Sequence, residues 1–139
     1  MKTGWLIPVI LLAGFINLSA QPLIGLGKEE VRVLMQKNRE FRIDKTVTKQ
    51  QFNYLKYVNN IQTKTFIIFF SDDDICTKTK LVCDYSEYED MRDELNETRN
   101  RVGAASWEYS YDGSTYTIAM EEQEWYFVLR ETEKTEKND

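Results

Sequence analysis

The sequence predicts an α+β fold: two helix-then-antiparallel-strand units, with the helices packed on one face of an antiparallel sheet. Three observations lead there. Apolar residues recur at helical spacing over 28–38 and again over 86–102. After each of these segments the pattern switches to period two, the repeat of a half-buried strand. Asp112-Gly113 stands between two alternating runs, and a type I′ hairpin needs positive φ at both of those centres.

The first twenty residues read "MKTGWLIPVILLAGFINLSA". Lys2 gives a positive start, Trp5 to Leu18 is apolar apart from Pro8, Gly14 and Asn17, and Ser19-Ala20 is a small-residue ending. This is the layout of a signal peptide cut after Ala20. The run is short of the ~20 apolar residues a membrane span needs. Export to the periplasm or cell exterior is expected, without membrane insertion after cleavage. An uncleaved anchor is the alternative. Residues 21–27, "QPLIGLG", read as a linker leading into one domain over 28–130.

Over 28–38, Glu29 and Glu30 suit the start of a helix dipole, and Val31, Leu34 and Met35 make one apolar face. "FRI" (41–43) reads as a short strand, and "FNYLKYV" (52–58) as a longer one with Phe52, Tyr54 and Val58 on one side. "TKTFIIFF" (63–70) is apolar at successive positions and reads as a strand buried on both faces. "ICTKTKLVC" (75–83) alternates and is its expected partner. In the second helix, Ser86 and Glu89 resemble a capping box, Tyr88, Met91, Leu95 and Val102 form the stripe, and Gly103 is the expected stop. The Asp112-Gly113 turn predicts Tyr111 opposite Ser114, Tyr109 opposite Tyr116, and Trp107 opposite Ile118. A second turn near Glu122-Gln123 would set Met120 against Trp125 and Ile118 against Phe127, completing a three-strand meander. The charged tail 131–139 lacks apolar residues and is expected to be disordered.

Composition narrows the function. Without Lys2, 17 basic residues face 23 acidic ones, a net charge of −6 that repels phosphate backbones; no nucleic-acid partner is expected. Histidine is absent, so a Ser-His-Asp or Cys-His mechanism is impossible within this chain. Cys76 and Cys83 are the only cysteines. In an oxidising compartment they are a candidate disulfide, closing a loop over "TKTK". In one continuous strand they stand too far apart and on opposite faces, as two sheltered thiols. Asp72, Asp73 and Asp74 are weak candidate metal ligands, since calcium takes oxygen donors; their spacing matches no known calcium loop, and a solvated turn explains them as well. Glu121, Glu122 and Glu124 form a second acidic group. Tyr54, Tyr57, Tyr85 and Tyr126 fit the expected core least well and are the candidate partner surface.

The order of helix then meander over 28–130, the leader and the length resemble the small periplasmic α+β proteins of the beta-lactamase-inhibitor-protein type and the small outer-membrane assembly lipoproteins. "FNYLKYVN" and "IIFFSDDDICTKTKLVCDY" are also similar to segments of short secreted Bacteroidetes proteins of unknown function. The resemblance implies the fold class; no inhibitor motif carries over, and the lipid-bearing cysteine of the lipoproteins has no counterpart here. These readings together predict a non-enzymatic exported binding protein without cofactor, its partner another protein or an envelope component. The alternatives are a small carboxylate-based hydrolase, with acids from 72–74 or 121–124, and a calcium-stabilised structural module.

Overall fold

The computed structural model describes residues 21–45 and 52–135. The expected signal peptide, the loop at 46–51 and the end of the expected tail, 136–139, lie outside the described residues. Helix α1 (Lys28–Gln36) is followed by β1 (Phe41–Ile43), β2 (Tyr54–Asn59), β3 (Lys64–Phe70) and β4 (Cys76–Asp84). A 3₁₀ turn (Tyr85–Glu87) leads into α2 (Tyr88–Thr98), then β5 (Asn100–Gly103), β6 (Ser106–Tyr111), β7 (Ser114–Glu122) and β8 (Tyr126–Glu133). All eight strands form one antiparallel sheet in the order β1-β2-β3-β4-β8-β7-β6-β5.

The expected fold class is corrected by this arrangement. The molecule is a sheet-dominated fold, a single eight-stranded antiparallel sheet with two short helices, and not a helix-packed α+β domain. The helices have 9 and 11 residues and bury only Val31 and Met35, and Met91 and Leu95. The reason lies at 99–103. Helical spacing runs on to Val102, but α2 stops at Arg99 with extended backbone, and Asn100–Gly103 becomes an edge strand with Val102 exposed. The start also differs. No side chain caps α2 directly; the Asp84 carboxylate accepts from the Ser86 N–H and caps the preceding 3₁₀ turn.

The Asp112-Gly113 hairpin has the expected register, Tyr111↔Ser114 through Trp107↔Ile118. Positive φ at both residues, 49° and 83°, explains why this dipeptide is required. The next turn falls further on. Met120 pairs with Leu129 and Glu122 with Phe127, so Trp125 leaves the ladder and stands at the hairpin tip. The shift is even, so Phe127 and Leu129 keep the expected face, as a period-two strand demands. Strand β8 continues to Glu133, into the segment expected to be disordered, because Thr132 and Glu133 are paired to Thr117 and Tyr116.

The segment 21–27 is also no linker. Gly25 N–H donates to the Cys76 carbonyl (2.8 Å), Cys76 N–H donates to the Leu26 carbonyl (2.8 Å), and Ile24 is buried. The core lies on the helix side of the sheet, around Leu55, Phe66, Ile68, Leu81, Ile118, Phe127 and Leu129. Trp107 is fully buried there, its indole N–H donating to Asn96 Oδ1 at 2.9 Å.

Candidate functional site

Period two sorts every strand residue onto one of two faces. The helix-side face holds the core. The other face has no described element over it. Three cross-strand rows run across it. The first is Val58–Thr65–Val82–Val128, the second Lys56–Ile67–Lys80–Arg130, and the third Tyr54–Phe69–Lys78–Thr132. Tyr54, Val58, Ile67, Phe69 and Val82 are half-buried, and Val128 is buried. The expectation that β3 is buried on both faces is corrected here: Phe66, Ile68 and Phe70 are in the core, while Thr65, Ile67 and Phe69 belong to the open face.

This face is also the basic side of an acidic protein. Lys78 Nζ sits 4.8 Å from the Phe69 ring centre, a cation–π contact that leaves its charge outward. Lys56 pairs with Asp44 at 3.3 Å, and Arg130 pairs with Glu121. Lys80, between Ile67 and Arg130, has no acidic partner among the described residues. On the other side of the molecule Glu89, Asp90, Asp93 and Glu97 line the exposed surface of α2.

The expected site residues separate. Tyr57 is in the core, 4 % exposed, and its hydroxyl pKa is raised by burial; it is no surface residue. Tyr54 lies on the open face against Phe69 (ring centres 6.2 Å apart). Tyr85 and Tyr126 are exposed at the far end of the sheet, beside the β7–β8 turn, Tyr126 in the open-face row with Asp84 and Tyr85 stacked on Tyr88 toward the core side. Asp72, Asp73 and Asp74 form the exposed β3–β4 turn, in which Asn53 Nδ2 donates to Asp74 Oδ1 (2.6 Å) and Asp74 adopts φ 61°. No group of three potential metal ligands occurs among the described residues. Glu121, Glu122 and Glu124 lie at the opposite end of β4's nine residues, ~30 Å away at ~3.3 Å per residue. The two acidic groups cannot act on one scissile bond.

Cys76 and Cys83 are both buried and both free. Their placement corrects the expectation of opposite faces. A bulge pairs Phe69 with Lys78 and Phe70 with Cys76, leaving Thr77 unpaired, so the extra residue restores both thiols to the core side. They remain roughly 20 Å apart along the strand, beyond the ~7 Å between Cα atoms that a disulfide spans. Burial pushes both thiols up to about 12, so neither is a nucleophile near neutral pH.

Two polar clusters interrupt the core. Lys64, 7 % exposed, bonds Glu40 (3.0 Å) and lies 3.8 Å from Glu87. Beside it Asn59 Oδ1 accepts from the Thr63 and Lys64 N–H groups (2.8 and 2.9 Å). Further along, the Tyr109 hydroxyl donates to Glu131, and the Arg99 guanidinium lies 4.4 Å over the Tyr109 ring. Burial raises the pKa of Glu131, and hydrogen bonds from Tyr109 and Thr79 with the Arg99 charge oppose that shift. Burial and then Glu131 raise Tyr109, and burial lowers Arg99. Opposite charges face one another in both clusters, though the buried Arg99 Nε and Glu87 Oε2 have no hydrogen-bond partner among the described residues.

The residues missed from sequence are Lys56, Lys78, Lys80, Ile67 and Phe69. The signal was present in "CTKTKLVC" and "LKYV", where lysines occupy alternate positions and so share one face. No helix among the described residues is long and apolar enough to cross a membrane. No protein-family model, curated protein or solved structure matches the chain.

Proposed function

We propose that the protein is a non-catalytic binding module that receives an acidic segment of a partner protein, carrying apolar side chains, on the open face of its sheet. One observation carries this reading. An antiparallel sheet with a solvated face normally alternates apolar-in and polar-out. Here the outward positions of β2, β3, β4 and β8 carry Val58, Ile67, Phe69, Val82 and Val128, with Val82 paired to Val128 and Ile67 next to Phe69 along β3, interleaved with Lys56, Lys78, Lys80 and Arg130. Large apolar groups gathered among cations on a solvated face mark an interaction surface. The cations give that surface its charge preference, in a chain whose net charge is −5. The reading of residues 1–20 as a leader supports placing this binding outside the cytoplasm. The buried, unreactive thiols support a role without a thiol nucleophile.

Selection of displayed random peptides against the purified protein tests this. Peptides that combine Asp or Glu with aromatic or branched side chains should be enriched. Their affinity should fall with rising salt, and Lys80→Glu should reduce it at least tenfold without lowering the melting temperature. Enrichment of neutral or basic peptides, or equal binding by the Lys80→Glu variant, would sink the reading.

A further inference from the structure

The sheet ends in two edges, and they are finished differently. At β5 a bulge breaks the ladder, and the Arg101 side chain donates to the Gly103 and Ala104 carbonyls (3.0 and 2.9 Å), two devices that blunt an edge. β1 has neither; its three residues pair regularly with β2. Just beyond it the Asp44 N–H donates to the Lys56 carbonyl at 2.8 Å. That bond fixes the alternation of the ladder. Arg42 bonds to Val58, and the N–H and C=O groups of Phe41 and Ile43 point away from β2. Among the described residues no strand pairs with that side of β1.

Helix α1 stands beside this edge across a groove of about 290 Å³. Arg32 and Met35 line it from the helix, Phe41, Arg42 and Ile43 from β1, and Tyr57 from β2. Phe41 and Ile43 lie on the core side with Tyr57, whereas Arg42 lies opposite Val58 on the open face. Tyr57 is 4 % exposed, and its hydroxyl has no hydrogen-bond partner among the described residues. It is a buried donor that an incoming carbonyl would satisfy. The rim is basic in an acidic chain. Arg42 is exposed and makes no ion pair among the described residues, and Lys37, Arg39 and Lys45, which flank β1 in the sequence, are exposed as well.

We infer that β1 is a docking edge, to which an extended segment of a partner protein adds as an antiparallel strand carrying an acidic residue between two apolar ones. The apolar residues sit opposite Phe41 and Ile43, exchange main-chain hydrogen bonds with them and turn their side chains into the groove. The acidic residue between them faces Arg42, where a cross-strand pair of opposite charge is favoured. The groove is at the lower limit of the ~300–1,000 Å³ that small-molecule pockets occupy, and suits two side chains on an extended chain. A second copy of this protein fits less well, because β1 paired with itself about a two-fold axis sets Arg42 against Arg42. The inference does not rest on the open-face reading, since Lys80 lies three strands away on β4.

Amide exchange of the ¹⁵N-labelled protein tests it, with the capped heptapeptide Ser-Ser-Val-Glu-Val-Ser-Ser and its Leu and Phe counterparts as probes. Without peptide, the Phe41 and Ile43 amides should exchange faster than that of Arg42. At least one peptide should bind with a dissociation constant below about 1 mM and, at saturation, slow Phe41 and Ile43 more than tenfold. N-methylation of its two apolar residues should abolish binding, because their N–H groups face β1; N-methylation of the glutamate, whose N–H faces solvent, should not. Arg42→Glu should weaken binding more than tenfold with the melting temperature unchanged, and a peptide with Lys in place of Glu should restore it. Lys80→Glu should change the affinity less than twofold. No binding of the three peptides at about 5 mM overturns the inference. So does binding that leaves the Phe41 and Ile43 amides unaltered, which would place the peptide on the open face. Protection of these amides by self-association, without peptide, overturns it in favour of a second copy.

Discussion

Single side chains show where this fold tolerates polarity. Glu131 is the clearest case, a carboxylate on the core side of β8 beneath the Tyr109 hydroxyl and the Arg99 guanidinium. Its pKa is raised by burial, so between the unfolded value and the folded one the native state binds more protons than the unfolded chain. Stability contributed by this group therefore rises as pH falls through that window, and is lost as pH rises. Glu94, also raised by burial, acts in the same direction. Urea titrations of the wild type between pH 7 and pH 5 should show that gain, and Glu131→Gln should flatten it; an unaltered slope in the variant would remove Glu131 as its source. Asn59 makes a different kind of contribution. It satisfies two backbone N–H groups of the β2–β3 turn while 2 % exposed, so Asn59→Ala should cost about 1–3 kcal/mol in chemical denaturation, the penalty of orphaned buried donors.

Elements were legible in the sequence where local chemistry decides and illegible where pairing does. The β6–β7 register follows from Asp112-Gly113 alone, because few dipeptides adopt both φ values. A Cβ at Gly113 meets nothing within 4 Å, so the cost of Gly113→Ala is that of the left-handed backbone alone, about 1–2 kcal/mol by denaturation. The Glu124-Trp125 turn carries no such signature, and its position is set by how far β7 pairs with β8. Helical spacing over 99–102 was overridden because that stretch pairs with β6, as Asn100↔Glu108 and Arg101↔Trp107. The bulge at Thr77 was equally hidden: β-bulges have no sequence mark, yet this one decides which face Cys76 occupies. Both thiols should resist a thiol reagent at pH 8 in native protein and react at the rate of unfolding. Rapid labelling of either would contradict the burial that holds them near 12. Of the candidate surfaces, the apolar run of β3 was visible in the sequence. The lysine alternation around it was visible too, but which face the helices leave bare depends on the whole sheet.

At the scale of the molecule, two runs of one helix and four strands share a continuous sheet, joined where β4 meets β8 in seven consecutive pairs from Lys78↔Thr132 to Asp84↔Tyr126. With a core running unbroken from Val31 to Leu95, the halves should unfold together. Val31→Ala and Leu95→Ala, one in each half and both fully buried, should each lower the single unfolding midpoint, by about 1–2 and 2–5 kcal/mol. Two separable transitions would show the halves to be independent.

The β4–β8 seam also sets a timetable for the growing chain. β4 is made long before β8, the last strand, so while residues 85–125 are synthesised one whole edge of β4 has no partner. An unpaired edge recruits strands from other chains, and lysine on such an edge is a known deterrent. Lys78 and Lys80 lie on that edge, facing outward. The charges that mark the finished protein's open face thus also guard the unfinished one against pairing with its neighbours, and a chain cut before Tyr126 would keep that vulnerable edge for good.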